Sequence, residues 1–234
     1  MRQSSAEKGR RGLVLAVEAS SRTYAVAVGD GEYPRAQVAV TRDDPAFREL
    51  NELVNQALDS AGETFGDIGT IGLDVGPGSL LSIRAAVAYA NGLAFALGAS
   101  IFPISSLELM ATAAEQAHQD PILCLKRGHG GSSYAGLFAD GEIVDMRHGL
   151  PDSVVPAIAA GLARVCVAGE AKDDAARVLE GVVVEDSGIE QANVVVLYRA
   201  ARAAAADPER LVPAASPLNE ASRIFHEPGS RRHP

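Results

Sequence analysis

Apolar residues along the first half of the chain fall in short runs and stripes that predict alternating strands and helices. Residues 12–20, GLVLAVEAS, form a buried-strand run, and residues 23–29, TYAVAVG, form a second. Asp30-Gly31 is a hairpin turn leading to a third strand over 36–40. A helix is predicted from Asp43-Asp44-Pro45 to Ala61, because acids favour a helix N-terminus, Pro fits the first turn and Gly62 ends it. Its apolar stripe is Phe47, Leu50, Val54, Leu58 and Ala61, widened by Leu53 and Ala57. A strand over 71–75 leads into the turn Gly76-Pro77-Gly78, with Ser79 at a helix N-cap position. From Leu80 to Leu97 nearly every side chain is apolar or small. A helix that is apolar all round must be covered on more than one side. A strand over 100–104 closes this half.

The second half repeats the order. Strands are predicted over 121–126, 133–139 and 142–147, with a turn at Asp140-Gly141, then a helix over 152–162. A strand over 164–168, a helix over 172–179, a strand over 182–185 and a long Ala-rich helix over 189–206 follow. Residues 105–120 read as a helix between the halves. Two meanders of three strands, each followed by alternating helix and strand, predict an α/β fold of two duplicated lobes with a mixed sheet in each. The expected boundaries are a disordered arm over 1–11, a first lobe over 12–105, a second over 106–206 and a loosely ordered tail over 207–234.

Composition narrows the function. At 234 residues the chain can bury one good core or two small lobes. Its net charge of −9 argues against a major nucleic-acid binder, which needs clustered Lys and Arg. No apolar run reads as a membrane span, since Arg84, Tyr89 and Asn91 interrupt the 80–97 helix, and residues 1–11 lack the apolar core of a signal. Cys124 and Cys166 sit in strand runs and are expected as buried, reduced thiols of a cytoplasmic protein. The histidines at 118, 129, 148, 226 and 233 include no i, i+4 pair for a metal, so no metal site is expected.

The stretches LAVEASSRTYAVAVGDGE and IGLDVGPGSLLSIRAAVAYANGLAFALGASIFPISSLE resemble the TsaB (YeaZ) family, whose signature joins GPGS, a spaced Arg, GLAF and SSLE. The matching positions are Gly76, Pro77, Gly78, Ser79, Ile83, Arg84, Gly92 through Phe95, Leu97, Gly98 and Ser105 through Glu108. The resemblance is strong over residues 13–110; beyond them it is one of strand order and length. It implies the two-lobed actin–Hsp70–sugar kinase fold. It also implies a non-catalytic subunit of a bacterial complex that installs threonylcarbamoyl on a tRNA adenosine. The catalytic partner would be a TsaD-like subunit carrying ATP and metal, with a TsaE-like ATPase as a further candidate partner. tRNA would be met only through that complex. The chain departs from the family at Glu18, which replaces an Asp, at Leu80-Leu81-Ser82, at 47–51, at LKRGHGG over 125–131 and at Ala214-Ala215-Ser216. A paralogue serving a small-molecule carbamoyltransferase, or a stand-alone glycoprotease-like enzyme, are the alternative readings.

Catalytic and ligand sites are weak in the sequence. Gly76–Ser79 lacks the Lys-Ser/Thr of a P-loop and is read as a tight strand-to-helix turn. Glu18, Ser20, Ser21 and Thr23 read as a degenerate phosphate hairpin without glycine. The 45–61 helix has no His, whereas TsaD-type enzymes hold metal with His-x-x-x-His there. No GxSxG nucleophile is present, and Gly128-His129-Gly130-Gly131 reads as a flexible bend. No catalytic residue and no cofactor are therefore expected on this chain. The expected docking surface is the pair of first-lobe helices, offering Leu50, Leu53, Val54, Ala57, Ile83, Ala86, Val87, Ala90 and Ala94. Two helices from each of two chains would form a four-helix bundle, in a heterodimer or, alone, a homodimer. On the later helix Ile83, Val87 and Ala90 form one stripe and Ala86 and Leu93 another, and the pattern leaves open which of them faces out.

Overall fold

The computed structural model describes residues 12–45 and 49–225. They divide into two compact units, and each repeats one topology. Unit 1 holds the described residues up to Val75, with Leu81–Ile104 and Val194–Ser216; unit 2 holds Gly76–Leu80, Ser105–Asn193 and the described residues from Pro217.

In unit 1 the strands are β1 (Leu13–Glu18), β2 (Thr23–Gly29), β3 (Ala36–Thr41), β4 (Ile68–Asp74) and β5 (Ser100–Ile104). Their order in the sheet is β3-β2-β1-β4-β5. The first three pair antiparallel as a meander, and β4 and β5 add in parallel. Every residue of β1, LVLAVE, is buried, as a strand covered on both faces requires. Helix α1 (Leu50–Ala61) packs on β2 and β3. The expected start at Asp43-Asp44-Pro45 is corrected. Residues 43–45 form a turn, Glu49 is extended with φ −66° and ψ 154°, and Ala46, Phe47 and Arg48 lie outside the described residues. Gly62, at φ 69°, ends the helix as expected and donates its N–H to Asp59 and Leu58. Helix α2 spans Leu80–Leu97.

Unit 2 has β6 (Ile122–Arg127), β7 (Ser133–Ala139), β8 (Glu142–Gly149), β9 (Arg164–Ala168) and β10 (Val183–Asp186), in the order β10-β9-β6-β7-β8. Counted from each unit's own first strand, this is the same 3-2-1-4-5 order, so the duplication predicted from patterning is real. Alternation sorts β6 between two cores. Ile122 and Cys124 join Leu107, Met110 and Ala114 of α3 (Ser106–Glu115). Leu123 and Leu125 face Val154, Val155 and Ala175 of α4 (Pro151–Ile158) and α5 (Lys172–Val178). Both cysteines are free and fully buried, and burial pushes their thiols above the ordinary range.

Two boundaries differ from the sequence reading. The last helix, α6, spans Val194–Ala204 rather than 189–206, and it belongs to unit 1, not to the second lobe. Its buried stripe, Leu197, Tyr198 and Ala201, lies on β1, β2 and β4. The cause is local shape. A Cβ on Gly72 of β4 would meet the Ala201 Cβ at 2.5 Å, so this glycine lets helix and strand close up. The Tyr198 hydroxyl donates to the Gly31 carbonyl at 2.8 Å. The second boundary is the tail. Residues 207–225 are held in place rather than loose. Val212 exchanges two 2.8 Å backbone hydrogen bonds with Ile101 of β5, and Phe225 joins the core under α3.

Candidate functional site

The family-like motifs turn out to be joints of the fold. Ser105-Ser106-Leu107-Glu108 is a capping box: the Ser105 hydroxyl accepts from the Glu108 N–H at 3.1 Å, and the Glu108 carboxylate accepts from the Ser105 N–H at 3.1 Å. Ser106 then ties this helix start to the glycine turn. Its N–H donates to the Gly76 carbonyl at 2.8 Å and its hydroxyl to the Pro77 carbonyl at 3.0 Å. Gly76 has φ 97°, a conformation that favours glycine, and precedes a cis Pro77. The first hairpin is spent in the same way. Buried Glu18 accepts from both the N–H and the hydroxyl of Ser20 at 2.7 Å, and the Thr23 N–H donates to the Ser21 hydroxyl at 3.4 Å.

The glycine-rich bend of unit 2 is better tied than its sequence suggested. Gly128 donates to the Ser132 carbonyl at 2.7 Å, and Ser132 Oγ donates to the His129 carbonyl at 2.8 Å. His148 Nε2 lies 2.9 Å from the same Oγ, and its ring sits 4.5 Å from that of Tyr134. Tyr134 donates to Glu220 at 3.1 Å; burial first, then this bond, push its phenol up to about 12. Among the described residues no three His, Cys, Asp or Glu side chains converge as a metal set.

The surface that remains unexplained is on α2. The side chains expected to meet a partner lie on the inner sides of α1 and α2. Ile83, Ala86, Val87, Ala90 and Ala94 are buried in the folded chain, as are Leu50, Leu53, Val54 and Ala57 of α1. The stripe that faces out is Leu81, Ala85, Ala88, Gly92 and Phe95, at the i, i+4, i+7, i+11, i+14 spacing of one helix face. Leu81 is 78% exposed and Phe95 91% exposed, at opposite ends of a helix about 27 Å long. Sequence periodicity missed this face because nearly all of α2 is apolar or small, so little beyond Arg84 marks its outer side. Only a third of its length in residues is buried, although its mean hydropathy is 1.5, which by length and composition alone suffices to cross a membrane.

Gly92 sharpens the picture. A Cβ there would meet nothing within 4 Å, so nothing inside the chain needs a glycine in mid-helix. Glycine at such a site costs about 0.5–1 kcal/mol relative to alanine. Two attachments orient the helix. Arg42, which donates to the Tyr24 hydroxyl at 2.9 Å, also donates to Ser82 in the first turn. Farther along, Asn91 donates to the Ala215 carbonyl at 3.0 Å and accepts from the Ala215 N–H at 2.9 Å. Residues 208–216 thus run as a strap beside α2. Between strap and helix end lies a cleft of about 470 Å³, lined by Phe95, Gly98, Pro208, Leu211 and Pro213 among others.

Comparison with known proteins gives this geometry a context. The family model TsaD: tRNA N6-adenosine threonylcarbamoyltransferase matches residues 47–185, more than half of the chain. The chain is 34% identical over 79 residues to a tRNA N6-adenosine threonylcarbamoyltransferase of Clostridium perfringens, covering 32% of this chain and 23% of that protein. It is 30% identical over 135 residues to the protein of the same description from Clostridium botulinum, covering 56% of this chain and 35% of that one. The chain therefore spans between about a quarter and a third of the length of these curated relatives. Among solved structures, YeaZ from Pseudomonas aeruginosa superposes with a TM-score of 0.74 at 22% identity, over 88% of this chain and 99% of that one. A protein described as similar to peptidase YeaZ, also from Pseudomonas aeruginosa, gives 0.72 at 24% identity, over 88% and 98%. These structures share the fold at nearly full length.

Proposed function

We propose, on the premise that this chain belongs to the TsaD (tRNA N6-adenosine threonylcarbamoyltransferase) family, that it is a non-catalytic partner subunit in tRNA threonylcarbamoylation. It docks on a TsaD-like catalytic subunit through the outer face of α2. One observation carries the reading: a stripe with Leu81 and Phe95 at its ends contains a glycine, Gly92, that nothing inside the chain requires. Small residues at Ala85, Ala88 and Gly92 let a second helix come close enough to bury backbone. An exposed apolar patch of this kind is a liability in water until something covers it. ATP and metal belong to the partner, a TsaE-like ATPase joins that assembly, and tRNA is met through the complex, consistent with a chain of net charge −9. Without the partner, two copies pair through the same face. The site of action is the cytoplasm.

Reconstitution tests this. The TsaD-like subunit from the same genome is combined with tRNA and threonylcarbamoyl-adenylate, with and without this chain. Modified adenosine is expected only when both proteins are present. Full activity without this chain, or transfer by this chain alone, overturns the proposal. Complementation of a strain depleted of its own TsaB separates a tRNA role from service to a small-molecule carbamoyltransferase.

A further inference from the structure

Arg84 is the one charged residue on the exposed side of α2, and it is alone. Arg22, Arg35, Arg42, Arg199, Arg202 and Arg210 of the same unit each hold a carboxylate, a hydroxyl, a carbonyl or an aromatic ring. Arg84 makes no hydrogen bond, ion pair or ring contact among the described residues. It projects from the flank of the outer stripe, about three helical turns from Phe95 and on nearly the same side of the helix. A guanidinium at the rim of an apolar contact loses water when the contact forms, and an unpaired one opposes association. A rim cation that meets a carboxylate instead steers the encounter and fixes which way the partner helix runs.

We propose that Arg84 reads a carboxylate on the docked helix of the TsaD-like partner and so sets the register of the complex. This rests on the docking role assigned to α2 above. The occupant is a helix with small residues facing Ala88 and Gly92 and an Asp or Glu placed opposite Arg84. Arginine suits the task because its planar fork binds a carboxylate through two parallel hydrogen bonds, which a lysine cannot reproduce.

The test titrates the TsaD-like subunit of the same genome with wild-type chain, Arg84→Lys, Arg84→Glu and Phe95→Asp, at low and at physiological salt. Circular dichroism checks that each variant is folded, which the unpaired position of Arg84 favours. Arg84→Glu should weaken binding about tenfold at low salt, chiefly in the association rate, and should flatten or invert the salt dependence. Arg84→Lys should keep the salt dependence and lose part of the affinity. Replacing the facing acid of the partner with Lys should restore binding to Arg84→Glu. If Arg84→Glu binds like wild type at both salts while Phe95→Asp fails to bind, the docking face stands and the role of Arg84 is overturned. If Phe95→Asp also binds like wild type, or wild-type chain does not bind at all, the docking reading falls and takes this proposal with it.

Discussion

Helices α1 and α2 belong to the same unit, and their inner sides are alike: Leu53, Val54 and Ala57 on one, Ile83, Ala86 and Ala90 on the other, all buried. Their outer sides differ in kind. On α1, Asn51, Glu52, Asn55, Gln56 and Asp59 face out, so water completes the helix. On α2 the outward residues are Leu81, Arg84, Ala85, Ala88, Gly92, Phe95 and Ala96, and Arg84 alone among them is polar. The inner faces are what the fold demands. The outer faces are where a sequence is free, and leucine, glycine and phenylalanine there are what the proposed docking rests on.

The comparison predicts the largest effects on the shared inner side. Val54→Asp and Ala90→Asp each put an unpaired charge at a fully buried site and should cost at least about 4 kcal/mol, a large part of a typical domain's stability. Urea unfolding should show both variants as severely destabilised, with no distinction between the helices. The outer sides should then part company. Phe95→Asp should weaken partner binding about a hundredfold with little change in melting temperature, as expected for an exposed aromatic anchor. Gln56→Asp on the outside of α1 should change neither, and calorimetry on both variants checks the pair. Next comes the strap. Asn91→Ala leaves the Ala215 backbone groups without their side-chain partner, at a cost of about 1–2 kcal/mol. Hydrogen exchange should show faster opening over 208–216 while α1 is unaffected. The smallest effect has the opposite sign. Gly92→Ala should stabilise the isolated chain by about 0.5–1 kcal/mol, readable as a rise in melting temperature.

Most of the architecture was legible because it rests on contrast. Strand runs bounded by turn residues gave the element order along the chain, whereas Ser105–Glu108 entered only as part of a family-like motif and its capping box emerged in the structure. The start of α1 was misread because Asp43-Asp44-Pro45 carries helix-start chemistry yet forms a turn, while Glu49, with no side-chain cap, precedes the helix. Helix α6 was placed in the wrong lobe because amphipathicity names a face, not the sheet it lies on; Gly72 opposite Ala201 decides that. The outer side of α2 was hidden for the reverse reason. With nearly all residues apolar or small, the sequence pattern offered the stripes Ile83, Val87, Ala90 and Ala86, Leu93, and not the outward Leu81, Ala88, Phe95. Asn91 read as an interruption, and its double bond to Ala215 joins positions 124 residues apart, which no local pattern reveals.

Binding of Gly92→Leu to the TsaD-like subunit tests the central claim most directly. Gly92 is exposed and a Cβ there meets nothing within 4 Å, so the fold itself does not demand glycine at this position. Sedimentation velocity of an equimolar mixture should show the wild-type chain in a complex and the Gly92→Leu chain free, its fold intact by circular dichroism. A Gly92→Leu chain that sediments with the partner as fully as wild type would contradict the assignment of α2 as the docking face.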